Sequence, residues 1–537
     1  MYNKKVLRHF KNPHNFGKIL KADGIGQVGN IVCLSSNQNI YTINGFKKIQ
    51  NISKEDYVLS HDGQYYIPTK IVKRNYTGKI LTIKNQLGLI SLTPDHLVLA
   101  IKIPKENKFL RTKNRKKLTP AWYHAEQLKK GDLILYPILK TNKDLKYIRI
   151  RELKSKWDFK SKEIPNKIPI NSKSLRLFGY FLSEGNVQDK PCRTFITFTL
   201  NIKENEIVED IKKICKKLFN LDIVIRKKPK RNTVVVSLYS ARLARCFKKL
   251  FDNGAKHKTI PTFIIDLPPI KQKSLIYALW KGDGYVNLNR EGPRAGYCTI
   301  SYNLAQQIKT LLLRQKIAPS IYMDKAKKVK GVNHKKSYRI HIGQRDSLMK
   351  LCTILNIKYH PQSYVSEKAW FNDNYLHIPI TKIGVKNHAE KVYNLEVKNS
   401  HSFTSEAFCL HNCGDVMWLY IKVGKNEKGE EIIKDIKFET FGCVAAIATS
   451  SIITDIAKGK TINEAIKLNK DNIIDTLEEL PPIKIHCSVL AIDALNEAIY
   501  NYLSKNKKPI PEELQKRHQR IEKERKIIEK KYADWIE

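Results

Sequence analysis

Cys413 stands where two chemistries meet. Read toward the amino terminus, the stretch FCLHNCGDVMW (residues 408–418) gives His411-Asn412-Cys413, a trio suited to breaking a peptide bond. An asparagine amide can attack its own backbone carbonyl, closing a succinimide and releasing the residue that follows, when a donor such as His411 polarises that carbonyl. Read toward the carboxyl terminus, the same stretch gives Cys413-Gly414-Asp415, a soft and a hard metal ligand. A second thiol, Cys33, can attack the carbonyl of Val32 in an N-to-S acyl shift. Cys413 can then capture the thioester, because thiolates are strong nucleophiles and acceptable leaving groups. Together these steps would excise residues 33–412 and join Val32 to Cys413.

Charge sets that middle segment apart. Of the net +47, residues 1–32 carry 6 basic against 1 acidic side chain, residues 413–537 carry 21 against 21, and residues 33–412 carry 71 against 29. A coding bias would colour both ends as well, so the middle reads as a separate unit with its own polyanionic partner. The length of 537 residues predicts two to four domains. Ten cysteines without a CxxC pair, no signal-peptide pattern and no long apolar run argue against disulfides, secretion and a membrane partner, and for a reducing, cytoplasmic setting.

The flanks have an α+β texture. DVMWLYIKV and EIIKDIKFETFG read as β-strands, CVAAIATSSIITDIAKGK and HCSVLAIDALNEAIYNYL as amphipathic helices, and the tail from EELQKRH onward as a mixed-charge, partly docked helix. The chain is glycine-rich at DGIGQVGN and changes at Cys33 to short strand-and-turn signals. SLTPDHLVLA follows with Thr93 and His96, then WYHAEQLKKGDLI, and KVYNLEVKNSHSFTSEAFCLHNC closes the segment. In this order residues 33–412 resemble an intein: Cys33 its first residue, Thr93-Pro94-Asp95-His96 its TxxH block, His401 its penultimate histidine, and His411-Asn412-Cys413 its C-terminal junction. The resemblance implies an all-β Hint-type splicing domain that needs no cofactor, with His96 acting on the Cys33 junction amide; a satisfied core histidine is the competing reading. Asn394 stands where many inteins carry Asp or Cys, and it cannot ionise.

An insert of 380 residues exceeds what splicing requires, and helical signals at about 175–187 and 274–286 mark a nested domain. LFGYFLSEG and LIYALWKGDG are each a short apolar helix ending in an acidic residue and glycine, with Gly179 and Ala278 where two helices can cross closely. Two such helices side by side bring Glu184 and Asp283 together as hard ligands for Mg²⁺ beside a scissile phosphate. The bland reading makes each a buried helix with a glycine C-cap. The pair resembles the motifs of LAGLIDADG homing endonucleases, which implies an α/β nuclease domain acting on double-stranded DNA. Glu184 replaces the more frequent Asp. Lys258 in GAKHKTIP matches a lysine-containing block of that family, with a solvated lysine as its alternative.

With residues 33–412 removed, VGNIV runs into CGDVMWLYIKV, a 157-residue product. Its ligand candidates are Cys413, Asp415, Cys443, His486 and Cys487. Cys443 and Cys487 fall at predicted helix N-termini, where the dipole favours thiolate. Three thiolates with one carboxylate or imidazole make an incomplete site for an iron–sulfur cluster, which suits transfer rather than electron transport. HFKNPHNFG, CGD, FGC and LPPIKIHCSVLA together resemble the U-type iron–sulfur scaffold family (IscU and the N-terminal part of NifU). That resemblance implies a small antiparallel sheet with packed helices, a cluster of [2Fe–2S] type, a cysteine desulfurase as sulfur donor and acceptor apoproteins. Ile31 and Val444 depart from the family's usual Pro and Gly. A structural Zn²⁺ protein with an inactive nuclease is the alternative. The expected order is therefore 1–32 scaffold, 33–165 splicing, 166–365 nuclease, 366–412 splicing and 413–537 scaffold.

Overall fold

The computed structural model describes residues 3–29, 32–106, 112–150, 153, 162–190, 193–289, 292–329, 332–360, 368–397, 400–412, 416–441, 444–480 and 485–530. The chain divides into two compact units, one of residues 1–33 and 413–537, the other of residues 34–412.

In the first unit the glycine-rich stretch becomes the strand Gly24–Val28. It pairs antiparallel with Val416–Lys425, which pairs in turn with Glu431–Phe441. Alternation buries Met417, Leu419 and Ile421 against the helices Val444–Ala457 and Ile485–Lys505, and a register shift opposite Lys422/Val423 lets Ile433 and Ile436, three residues apart, share that face. The glycines are needed for approach. A Cβ on Gly24 would lie 2.2 Å from the Ala498 carbonyl oxygen, and one on Gly26 2.0 Å from that of Ala494. Both oxygens belong to helix backbone and cannot turn aside. Gly26→Ala should therefore destabilise the folded unit by about 3 kcal/mol through overpacking, read as a fall in its denaturant midpoint with unchanged slope. The tail helix Glu512–Lys530 docks through Leu514, His518–Glu497 and Arg520–Asp493.

In the second unit Leu34–Ser35, Lys382–Val397, Pro68–Asn85 and Gly88–Leu92 close a barrel. The strands Pro68–Asn85 and Lys382–Val397, about 300 residues apart in sequence, pair along nearly their whole length. A seven-stranded sheet packs alongside, and includes Leu97–Ile101, Leu133–Pro137, Ser402–Thr404 and Cys409–His411. Strand Tyr147–Arg149 pairs with Lys167–Pro169 across the sequence-based border at 165/166.

Between these strands lie two copies of one arrangement. Helix Ser172–Glu184 leads into a sheet ordered Gly185–Lys190, Arg193–Asn201, Thr233–Leu238, Val224–Lys228; helix Pro269–Asp283 leads into one ordered Gly284–Asn287, Arg294–Thr299, Ser337–Ile342, Ser320–Asp324. The sequence windows 175–187 and 274–286 run three residues too far: at Gly185 and Gly284 the chain is already extended, with φ of −83° and −91°. Both glycines stand at the helix C-cap, in extended rather than left-handed backbone. These glycines also serve contact, since a Cβ on Gly185 would sit 2.6 Å from the Phe181 Cα and one on Gly284 2.7 Å from the Trp280 Cα.

Candidate functional site

The two acidic helices cross at their small residues. A Cβ on Gly179 would lie 2.6 Å from the Ala278 Cβ and 2.8 Å from the Leu275 carbonyl oxygen, and one on Gly282 would lie 2.5 Å from the Ser183 Cβ. This contact holds Glu184 and Asp283 at adjacent helix ends. Burial raises Glu184 to about 7, with Asp283 adding repulsion, and burial raises Asp283 to about 6 against the pull of Lys258. Both carboxyls are therefore poised to exchange a proton for a cation near neutrality.

Lys258 is not solvated. It is 4% exposed, and its Nζ donates to the carbonyls of Phe181 at 2.7 Å and Ser183 at 3.1 Å, the last turn of the first acidic helix. Burial lowers it to about 8, while Asp283 and Glu184 oppose that shift. Tyr297, which belongs to no motif that would single it out, donates to Asp283 Oδ2 at 3.3 Å. On the two sheets, every residue of Val224–Lys228 is exposed, including Arg226, Lys227 and Lys228, and Arg294, Arg339 and His341 line a cleft of about 470 Å³ with Tyr285 and Tyr322. Basic and aromatic groups on exposed strands suit phosphate and base contacts.

Thr93, His96, Asn394, His401, His411 and Asn412 lie elsewhere in the same unit, whereas Cys33 ends the first segment of the other. Leu34 pairs with Leu92 and with Tyr393, the residues that precede Thr93 and Asn394, and Cys33 precedes Leu34. Cys33, Thr93, His96 and Asn394 are all buried. The Thr93–His96 loop is tied by a turn, His96 N–H to Thr93 carbonyl at 3.1 Å, and by His124 Nδ1 against the Asp95 carbonyl at 2.8 Å. Asp95 is raised to about 6 by burial and by Glu126.

Asn412 is clamped. Its Oδ1 accepts from Val397 N–H and its Nδ2 donates to the Val397 carbonyl, both at 3.1 Å, while its own N–H donates to the His401 carbonyl at 2.9 Å. His401 Nδ1 lies 3.4 Å from the same Nδ2. His401 adopts a left-handed φ of 52°, a conformation costly for a side chain with a Cβ and one that surrounding contacts must hold. Its ring lies nearly parallel to that of His411 at 6.4 Å, and Trp122 meets His411 edge-on at 4.9 Å. Trp122 sits in the quoted WYHAEQ run, where its aromatic bulk was the available signal. Cys413, Gly414, Asp415 and Cys443 lie outside the described residues, as do Ile31 and the side chain of His486. Cys487 is buried in the first turn of Ile485–Lys505 and is, among the described side chains, the one candidate cluster ligand.

Nested and outer parts of the second unit are joined through Glu406. The fully buried Lys309 donates to its carbonyl at 2.6 Å, and Tyr302 donates to its carboxylate; burial lowers Lys309 to about 7. Glu406 precedes strand Cys409–His411, which carries the C-terminal junction.

Residues 1–36 and 390–509 match the NifU-like N terminal domain, and residues 271–356 match the LAGLIDADG-like domain. The iron–sulfur cluster assembly scaffold protein IscU of Buchnera aphidicola subsp. Baizongia pistaciae is 53% identical over 95 residues, 18% of this chain and 71% of that protein. The chain belongs to the IscU family. Its IscU portion is split, with the LAGLIDADG-like domain lying in the interruption. An uncharacterized protein of Methanocaldococcus jannaschii is 31% identical over 419 residues, 72% of this chain, and the chain spans only 51% of that relative's length. An ATP-dependent DNA helicase of Thermococcus kodakarensis is 24% identical over 417 residues, 72% of this chain and 36% of the helicase. Among solved structures, the homing endonuclease I-DmoI in complex with DNA and Mn is similar at 17% identity over 35% of this chain and 99% of that one, with a TM-score of 0.27. No helix among the described residues is long and apolar enough to cross a membrane.

Proposed function

We propose that the chain is the precursor of an iron–sulfur scaffold that excises residues 33–412 by self-splicing, and that the excised segment is a metal-dependent site-specific DNA endonuclease. One observation carries the splicing reading. The compact units part at 33/34 and 412/413, so that the outer segments, though 380 residues apart, form one body around one core. The recurrence of the interruption adds support. Matches to a helicase and to an uncharacterized protein each span over 410 residues, far more than the 33 and 125 residues of the outer unit supply.

The steps balance without a cofactor. Cys33 Sγ attacks the Val32 carbonyl carbon and the amide nitrogen leaves with a proton, giving a thioester. Cys413 Sγ attacks that thioester and Cys33 departs as thiol. Asn412 Nδ2 then attacks its own carbonyl carbon, expelling the Cys413 amine, which displaces its own sulfur to form the Val32–Cys413 amide. The Val397 clamp fixes the rotation of the Asn412 amide, and an unprotonated His401 Nδ1 is placed to draw a proton from Nδ2. Thr93 and His96 act on the Cys33 junction, His411 on the Asn412 carbonyl.

In the released segment Glu184 and Asp283 would hold Mg²⁺, with Lys258 neutralising charge beside them, and double-stranded DNA is the substrate. In the joined product Cys413, Asp415, Cys443, His486 and Cys487 would hold the cluster, with a cysteine desulfurase and acceptor apoproteins as partners, in the cytoplasm. The test is the mass of the chain recovered from expressing cells. A 157-residue product beside a 380-residue fragment is expected; a chain that stays at 537 residues under all conditions rejects splicing.

A further inference from the structure

The N-terminal arm carries a donor set that neither splicing nor cluster assembly uses. His9, at the end of helix Lys4–Lys11, His14, in the loop that follows, and Asp455, on helix Val444–Ala457, each place a ligand atom so that all three atoms lie within 4.8 Å of one another. All belong to the first unit. We infer that these three side chains form a site for a divalent transition ion of the zinc class, separate from the cluster ligands.

The separation follows from helix geometry. Val444 opens the helix whose twelfth residue is Asp455, about 17 Å farther along the axis at 1.5 Å rise per residue, and Cys487, whose carbonyl accepts from Thr449, meets that helix more than a turn before Asp455. The donors also suit the ion. Two imidazoles and a carboxylate are the ligand types of open zinc sites, with a position left for water.

The loop is held for this purpose by groups around the ligands. Buried Ser451 accepts from the His14 backbone N–H at 2.8 Å, and its Oγ lies 3.0 Å from His9 Nδ1, which fixes the His9 ring and leaves Nε2 for an ion. Such outer hydrogen bonds orient metal-binding histidines. Asn15 Nδ2 donates to Asp455 Oδ1 at 3.1 Å, while His14 Nδ1 lies 2.8 Å from Oδ2. Beyond them, Gly17 N–H donates to the Phe438 carbonyl and Phe438 N–H to that of Asn15, so the loop is pinned to the sheet. Tetrahedral zinc wants neighbouring ligand atoms about 3.4 Å apart. The gap closes by rotation of His14 and Asp455, whose side chains are 45% and 34% exposed, toward the buried His9. The ion would clasp the arm to the helix that begins next to Cys443.

Co²⁺ titration of the metal-free full chain tests this. Thiolate sites give intense sulfur-to-cobalt charge-transfer bands; a His₂Asp site gives only ligand-field absorption. The expected result is one Co²⁺ equivalent with ligand-field bands, over and above any taken up by the cysteines or by Glu184 and Asp283, lost in His14→Ala and in Asp455→Asn and retained in Cys443→Ala. Zn²⁺ should raise the melting temperature of the parent chain but not of His14→Ala, whose metal-free melting stays unchanged because His14 is half exposed. Equal Co²⁺ stoichiometry and spectra in the parent and His14→Ala, or binding carried wholly by charge-transfer bands, overturns the site.

Discussion

Expressed as the full chain, Cys413→Ala yields no ligated 157-residue product, whereas Cys443→Ala and Cys487→Ala ligate fully and then fail to hold a cluster. The division follows from what each thiol does and when. Cys413 must accept the acyl group from Cys33 before it can be a ligand, and alanine offers no nucleophile. What remains to that variant is thioester hydrolysis at Cys33 and cyclisation at Asn412, so mass spectrometry should find residues 1–32, 33–412 and 413–537 as separate fragments. Cys487 lies in the other compact unit from the Asn412 clamp, buried against the scaffold helices, and its loss leaves the junction untouched. Cys413→Ser is the intermediate case: a hydroxyl accepts acyl groups less readily and binds iron poorly, so slow splicing to an impaired scaffold is expected. An intact 157-residue chain from Cys413→Ala would refute the junction.

Periodicity and side-chain chemistry made much of this fold legible. LFGYFLSEG and LIYALWKGDG announced two helices because apolar residues fill them and small residues mark their crossing, and Gly179 against Ala278 is that crossing. The strands after Cys413 were legible from alternation. Pairings that join distant residues were not. Nothing local in Leu34 points to Leu92 and Tyr393, because register is a tertiary property decided by the whole barrel. Burial of single charged groups was equally hidden: Lys258 reads as a surface lysine until the carbonyls of Phe181 and Ser183 surround it, and Lys309 until Glu406 does. The His9–His14–Asp455 cluster spans more than 440 residues of sequence, and HFKNPHNFG alone held two of its three members. Gly185 and Gly284 cap their helices in extended backbone, and the close contacts that a Cβ would meet there were not legible in the motif.

Asp283→Asn should abolish DNA cleavage and at the same time stabilise the helix that carries it. The substrate to assay is the uninterrupted scaffold gene across the codons for Val32 and Cys413, and the variant should bind it while cutting on the order of 10³-fold more slowly, the several kcal/mol that a lost metal ligand removes. Stability moves the other way because both carboxyls are buried beside each other. Asp283 sits near pKa 6 and Glu184 near 7, both above their unfolded values. The folded state therefore holds these protons more tightly than the unfolded state. Its advantage is complete below about pH 4 and is lost as pH rises through 6 to 7. At pH 8 the metal-free helix Pro269–Asp283 bears that full penalty, and an amide removes about 2–3 kcal/mol of it at Asp283. Amide hydrogen exchange along the helix should slow in Asp283→Asn at pH 8 and converge with the parent at pH 4, and Mg²⁺ should slow exchange in the parent alone. Splicing should proceed unchanged, since Asn412 and its Val397 clamp contain neither carboxyl. Cleavage at the parental rate by Asp283→Asn would remove it from the metal site, and faster exchange at pH 8 would mean that its charge, rather than being a burden, is paired by Lys258.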